Sequence, residues 1–147
     1  MYFSQNNVVI KSIPLTAGAS TTLTGAATDT LGYAGCCFVN LVGTLASTAV
    51  VTYKVQQASD DGVADAYNDL EGSALVVADD DDDQLFVIDI QAPAKRYLKQ
   101  ICSRTVAASS IGAGVAILYG AKSVPVTFDV TDNVTSEKFH TPAEGTA

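Results

Sequence analysis

The sequence predicts an all-β protein, an antiparallel β-sandwich of the jelly-roll type, and three observations carry this prediction. Val51, Tyr53 and Val55 alternate with polar residues, which is the period of a strand with one buried face. Small and β-branched residues dominate, only 16% of residues are charged, and no long segment has helical periodicity. Turn signals separate about eight candidate strands, the number that a jelly roll uses.

The first third of the chain contains two clear strands separated by a long polar stretch. A short apolar strand begins at Val8 and is closed by Pro14. Leu15–Asp29 is rich in Thr, Ala, Ser and Gly and is predicted to be mostly loop, with strand character only at Thr21–Thr24. Gly35–Thr44 is apolar on both faces, a pattern typical of a strand that is buried on both sides.

The strand at Val50–Gly62 ends in the turn sequence Ser-Asp-Asp-Gly, since Asp caps turns and Gly accepts positive φ. Five consecutive aspartates, Asp79–Asp83, then predict a sharp acidic loop. In the next strand, Phe86, Ile88 and Ile90 share one face. The remaining predicted strands are the weaker stretch Val63–Leu70, then Ser73–Val77, Leu85–Gln91, Arg96–Thr105 and the glycine-containing Ile111–Lys122.

The last part of the chain differs from the rest. Residues 1–123 are predicted to form the sandwich, and residues 124–147 an extended arm, because isolated apolar residues among turn formers cannot bury a core. Such an arm is expected to become ordered against a neighbouring subunit through main-chain hydrogen bonds. The candidate partner-binding residues are Val126, Phe128, Val130, Phe139 and His140.

Charge and cysteine content exclude several classes of protein. With a net charge of −8 and eight basic residues, the chain lacks the electrostatic footprint of a nucleic-acid binder or a polybasic membrane anchor. The N-terminus shows no signal-peptide pattern, and Val106–Ala121 is too short and too polar for a membrane helix. Synthesis in a cytoplasm is therefore expected, with Cys36, Cys37 and Cys102 as reduced, packed thiols.

Catalytic chemistry is poorly supplied. The single histidine, His140, lies in the predicted arm, where a catalytic triad would be poorly held. A zinc site of three cysteines and this histidine lacks the usual Cys-x-x-Cys spacing, and the glycines at Ile111–Gly114 precede no helix that could bind phosphate. We therefore expect no enzyme, no cofactor and no metal.

Three alternatives stay open at this point. The acidic loop Asp79–Asp83 offers the hard oxygen ligands that Ca²⁺ prefers, although it lacks the glycine and the distant bidentate acid of the usual loop. Scattered acids leave a two-carboxylate glycosidase arrangement open. A carbohydrate-binding face would have to use tyrosine, because the chain has no tryptophan.

Four stretches together resemble small virion proteins of tailed bacteriophages, and related jelly-roll proteins act as capsid cement or decoration proteins. These stretches are YKVQQASDDG (Tyr53–Gly62), DDDDQLFVIDIQAPAKRYLKQICSRT (Asp80–Thr105), YGAKSVPVT (Tyr119–Thr127) and TPAEGTA (Thr141–Ala147). They combine a strand, an acidic turn, a second strand, a basic-aromatic strand, a glycine strand and a proline-containing arm.

The resemblance implies a protein on the capsid surface of the virion that binds the assembled shell of the major capsid protein and stabilises it. It also implies self-association, with a homotrimer favoured over a dimer because symmetric shells favour symmetric subunits. The other functions considered are a head–tail connector, a tail or fibre-attachment protein and, in a different class, a carbohydrate-binding module.

Overall fold

Two antiparallel sheets pack face to face in the computed structural model, which describes residues 2–128 and 134–138. A four-residue helix, α1 (Phe3–Asn6), precedes ten strands. The strands are β1 (Val8–Lys11), β2 (Thr16–Ala19), β3 (Leu23–Asp29), β4 (Gly35–Leu45), β5 (Val50–Ala58), β6 (Asn68–Asp69), β7 (Leu75–Val77), β8 (Leu85–Gln91), β9 (Tyr97–Thr105) and β10 (Ser109–Tyr119).

The strand order is that of a jelly roll, which confirms the predicted fold. The first sheet has the order β1-β10-β4-β8, with β2 also pairing with β10, and the second has the order β3-β9-β5-β6, with β7 also pairing with β5. Since β1 and β2 share one neighbour, as do β6 and β7, each pair acts as one interrupted strand. Eight strands in two four-stranded sheets result, and the chain changes sheet at most of its connections.

The core lies between the two sheets and is built from one face of each strand. Val51, Tyr53 and Val55 are fully buried on the inner face of β5, as their alternation predicts. On β8, the inner face carries Phe86, Ile88 and Ile90, which also agrees with the sequence.

The prediction that Gly35–Thr44 is buried on both faces is wrong. Within β4, Phe38 and Val42 are fully buried, whereas Val39 on the other face is half-buried and Leu41 is 43% exposed. The reason is that the inner face packs on the second sheet, while no described element covers the outer face. Apolar residues on both sides of β4 therefore mark one buried face and one apolar face that borders solvent.

The prediction that Leu15–Asp29 is mostly loop is also wrong, because this stretch forms β2 and β3. Both strands are made of small residues and acquire their conformation by pairing with β10 and β9. Gly25 shows why small residues are needed here. A Cβ at this position would lie 2.9 Å from the Ser12 hydroxyl and 3.0 Å from the Gln100 carbonyl oxygen.

Arg104 is buried at the end of β9 and holds the β2–β3 connection in place. Its side chain donates to the Thr21 carbonyl at 2.8 Å, to the Thr21 hydroxyl at 2.9 Å and to the Ser109 carbonyl at 2.8 Å. A further, longer contact of 3.4 Å reaches the Ala17 carbonyl. In the described part of the chain this guanidinium has neutral acceptors and no ion pair, so its orientation depends on these hydrogen bonds.

Candidate interaction surface

The acidic loop Asp79–Asp83 uses its carboxylates to bind the protein's own backbone. Asp79 accepts the Thr48 N–H and Asp82 accepts the Leu45 N–H, both at 2.7 Å, while Asp81 accepts the Ala78 N–H at 3.1 Å. These bonds fasten the connection between β4 and β5. Among residues 2–128 and 134–138 there is no group of three or more side chains arranged to hold a metal ion.

A second acidic loop is fastened in the same way. Asp60 accepts the N–H groups of Gly62, Ala64 and Asp65, and Asp65 accepts the Ser59 N–H and the Lys95 ammonium, each at 2.7 Å. The ammonium of Lys95 and then the Ser59 N–H lower the pKa of Asp65 to about 2. The charged form of Asp65 therefore contributes to the stability of the folded state.

Acid is expected to weaken this loop. Because the pKa of Asp65 is lower in the folded chain than its unfolded value of about 3.9, its contribution is complete above that value and is lost as pH falls towards 2. We expect Lys95→Met to lower the urea midpoint at pH 6 and to have a smaller effect at pH 2.5, where Asp65 approaches protonation. An equal loss at both pH values would contradict this account.

The three cysteines are unpaired and poorly reactive, as predicted. Cys36 and Cys102 are buried and Cys37 is half-buried. Burial raises the pKa of Cys36 to about 12 and that of Cys102 to about 11. Since the thiolate is the reactive form, both of these thiols stay protonated and inert at neutral pH.

Two of the five predicted partner-binding residues lie in the described part of the chain. Val126 and Phe128 are half-buried and pack against the core, and the Val126 N–H donates to the Gln5 carbonyl at 2.8 Å. Val130, Phe139 and His140 lie outside the described residues. The first residues of the predicted arm thus contact the sandwich beside α1, and their role in binding a partner stays a prediction.

Two truncations separate these contacts from the rest of the arm. Ending the chain after Ser123 removes Val126 and Phe128, and we expect a loss of about 2 kcal/mol in the free energy of unfolding, since each is only partly buried. Ending it after Phe128 keeps both contacts and is expected to cost much less. Urea denaturation of the two truncated chains measures the difference, and equal stability would show that these contacts are dispensable.

The most extensive candidate surface is the outer side of the first sheet. Its strand register places side chains in cross-strand rows, of which Val115–Val39–Val87 is the central one. Leu41 and Leu85 form the next row, with Leu85 65% and Val87 52% exposed. We call this surface the apolar outer face, and it consists of Val9, Cys37, Val39, Leu41, Leu85, Val87, Val115 and Ile117.

Charge is confined to the borders of the apolar outer face. Lys11 lies on β1 at one side, and Asp89 lies on β8 at the other. The Asp89 carboxylate accepts the Tyr119 hydroxyl at 2.8 Å. From the sequence, Asp89 in the middle of this strand is expected either to face solvent or to pair with Arg96 or Lys99. The first alternative is confirmed, because Asp89 is exposed, whereas the pairing is excluded because β9 belongs to the other sheet.

Strand β8 forms a free edge beside the apolar outer face. Two hydrogen bonds, from Val42 N–H to the Gln84 carbonyl and from Ala92 N–H to the Ala34 carbonyl, show which residues of β8 bond to β4. With this register, the even-numbered residues of β8 bond to β4. The odd-numbered residues point their backbone N–H and C=O groups away from β4. No described residue bonds to these outward groups of Leu85, Val87, Asp89 and Gln91.

Two shallow clefts lie at the margins of the sandwich. One, of about 280 Å³, is lined by Lys95, Arg96 and Lys122, but Lys95 pairs with Asp65 and Arg96 with Asp29, so two of its three cations are neutralised. The other, of about 270 Å³, lies between Leu70–Leu75 and the edge residues Val87–Ile90. Neither cleft brings together groups suited to covalent or acid–base chemistry.

The sequence contains a signal for the apolar outer face, but the same signal also predicts burial. Apolar residues occur on both faces of β4, and Val115 and Ile117 in β10 alternate with Ala116 and Leu118. Burial of both faces and exposure of one apolar face produce the same sequence pattern. Only the packing of the sheets decides between them.

Comparison of the chain with models of known protein families found no match, and no curated protein matches it either. Within the described residues, no helix has the length and apolar character needed to cross a membrane.

Proposed function

We propose that this protein is a structural protein of a tailed-bacteriophage virion, a capsid cement or decoration protein that binds the assembled shell of the major capsid protein and stabilises it. The observation that carries the proposal is the apolar outer face, a sheet surface on a jelly roll that no described element covers. The resemblance of four sequence stretches to small virion proteins supports the same function.

Stabilisation of a shell requires buried contact area between the protein and the shell, and it requires no reactive group. Covering a contiguous apolar sheet surface removes it from water, and each Å² of apolar area buried stabilises the complex by roughly 25 cal/mol. A protein that binds only the assembled shell shifts the equilibrium towards assembly by mass action. The thiols that are buried and protonated, and the carboxylates that bind backbone, are consistent with a structural role.

Charge supports a position on the outside of the shell. The net charge of −8 would oppose contact with packaged DNA, whose phosphates are negative. The proposed partners are therefore the major capsid protein and further copies of this chain. Synthesis takes place in the host cytoplasm, and the protein then joins the capsid surface.

Co-sedimentation with capsids that lack this protein tests the proposal. We expect saturable binding at a copy number on the order of hundreds, set by the symmetry of the shell, and a higher melting temperature for decorated capsids. Saturation at about a dozen copies or fewer would instead indicate a head–tail connector or a tail or fibre-attachment protein. Binding to glycans without binding to capsids would indicate a carbohydrate-binding module.

A further inference from the structure

We propose that the free edge of β8 is a self-association site, at which two copies of this chain pair their β8 strands antiparallel across a twofold axis. The resulting dimer has a continuous eight-stranded sheet built from the two first sheets. This inference concerns the isolated protein and does not depend on the proposed function.

The edge of β8 is unusually regular for a strand that has no neighbour on one side among the described residues. It is seven residues long, and four of those residues have outward N–H and C=O groups to which no residue in the described ranges bonds. The other edges are formed by the short strands β1, β2, β6 and β7, and by β3, whose register with β9 shifts between Thr24 and Ala27. Short or irregular edges resist strand addition, whereas a long regular edge invites it.

The sequence of β8 is compatible with itself in one full-length register. With the twofold axis at Ile88, Leu85 of one copy lies opposite Gln91 of the other, and Val87 lies opposite Asp89. All four outward-pointing residues then form hydrogen-bonded pairs, and the two Asp89 carboxylates are not directly opposed. A register shifted by one residue would place residues whose N–H and C=O groups point outward opposite residues whose groups already bond to β4. Such a register could not form the interstrand hydrogen bonds and is excluded.

The inner face of β8 gains apolar neighbours in this register. Phe86 of each copy lies beside Ile90 of the other, and the two Ile88 side chains meet at the axis. Phe86 and Ile90 are only partly buried in the single chain, and Ile90 lines the cleft of about 270 Å³ at Leu70–Leu75. The second copy would cover this cleft and complete the burial of both side chains.

The area of the contact predicts a weak dimer. A paired edge about 24 Å long and roughly 20 Å deep, counting both sheets, covers about 500 Å² per copy. The total of about 1,000 Å² lies at the lower limit for specific interfaces. The dissociation constant of the dimer is therefore expected to lie in the micromolar range for the free protein. Association would be stronger wherever copies are held close together. A twofold contact also favours a dimer over the trimer expected from the sequence.

Sedimentation velocity over a range of concentration up to about 100 µM tests the pairing. We expect a reversible monomer–dimer equilibrium in the wild type and at least tenfold weaker association in Val87→Pro. Because the Val87 N–H points away from β4, proline at this position removes no hydrogen bond within the sheet. Val87→Thr keeps the N–H and the branched shape, so it is the matched control and is expected to form the dimer.

Disulfide trapping tests the register and does not depend on the proline variant. In a Cys37→Ser background, Leu85→Cys and Gln91→Cys chains should cross-link when mixed, because their Cα atoms would be about 5.5 Å apart. Neither chain alone should cross-link efficiently. A wild type that stays monomeric, a trimer, or cross-linking of Leu85→Cys chains with each other would overturn the proposal.

The two proposals fail in different experiments. A protein that dimerises through β8 but ignores capsids would refute the cement function and leave the self-association site standing. A protein that decorates capsids but shows no monomer–dimer equilibrium in solution would refute the self-association site and leave the cement function standing.

Discussion

Replacing Arg104 with methionine is expected to lower the free energy of unfolding by about 3 kcal/mol, the largest stability effect of a single substitution that we predict. Methionine fills a similar volume but donates no hydrogen bond. The Thr21 and Ser109 carbonyls would each lose a donor at 2.8 Å, and the Thr21 hydroxyl would lose one at 2.9 Å. Each buried acceptor left without a partner costs about 1–3 kcal/mol.

An opposing effect reduces this loss without cancelling it. Removing a buried cation relieves a desolvation cost of several kcal/mol, and apolar replacements of whole ion pairs are sometimes neutral for that reason. In Arg104→Met, by contrast, the carbonyl and hydroxyl groups that accepted hydrogen bonds from the guanidinium remain in the protein. Ser109 is fully buried, so solvent cannot replace the guanidinium at its carbonyl. Thr21 is exposed, so its carbonyl can bind water, but the β2–β3 connection then loses its attachment to β9.

Urea denaturation and hydrogen exchange measure this effect. Arg96→Met is the matched control, because Arg96 makes its ion pair with Asp29 at the surface, where both side chains are at least 40% exposed, and such pairs contribute little. We expect faster amide exchange in residues 16–22 of Arg104→Met only. Equal stability of the two variants would show that Arg104 does not hold this connection.

Much of the fold could be predicted because period-two alternation is a local property. Val51, Tyr53 and Val55 reveal the buried face of β5, and Phe86, Ile88 and Ile90 reveal that of β8. In contrast, β2 and β3 have almost no side-chain signal. Their Thr, Ala and Gly residues become strands because β10 and β9 offer backbone groups to pair with, and that information lies about 80 residues away in the sequence.

The inner face of β9 shows a second limit of sequence reasoning. Leu98 and Cys102 point into the core together with Gln100 and Arg104, so polar and apolar residues share one buried face. In the sequence, Leu98, Tyr97 and Ile101 are the apolar members of this strand, yet Tyr97 and Ile101 lie on the face opposite Leu98. A buried arginine can be recognised only when the carbonyls that surround it are known.

The candidate surface was hidden for a related reason. The arm at residues 124–147 can be recognised in the sequence because it differs from the sandwich in composition. The apolar outer face cannot be recognised in this way, because its residues resemble core residues. The sequence therefore predicts Val126, Phe128, Val130, Phe139 and His140 as partner-binding residues, but it cannot distinguish the apolar outer face from the interior.

The double substitution Val39→Lys, Leu41→Lys is expected to abolish binding to capsids. Val39 is at the centre of the apolar outer face, between Val115 and Val87, and Leu41 is 43% exposed beside Leu85. Central apolar residues of an interface typically contribute about 2 kcal/mol each, so affinity should fall at least a hundredfold. Depletion of the protein from solution by increasing amounts of capsid measures the affinity.

The effect should be specific to this surface. A lysine side chain can lie along the sheet and place its ammonium in water, so the free chain is expected to fold. The matched control is Leu31→Lys, Val63→Lys, in which two residues that are 66% and 88% exposed in loops outside the apolar outer face carry the same added charge. The control should bind capsids as the wild type does, and this excludes a general effect of the charge. If the Val39 and Leu41 variant also binds normally, the apolar outer face is not the contact. The truncation after Phe128 then becomes the deciding experiment, because it removes the rest of the arm and leaves the sandwich with its contacts to Val126 and Phe128.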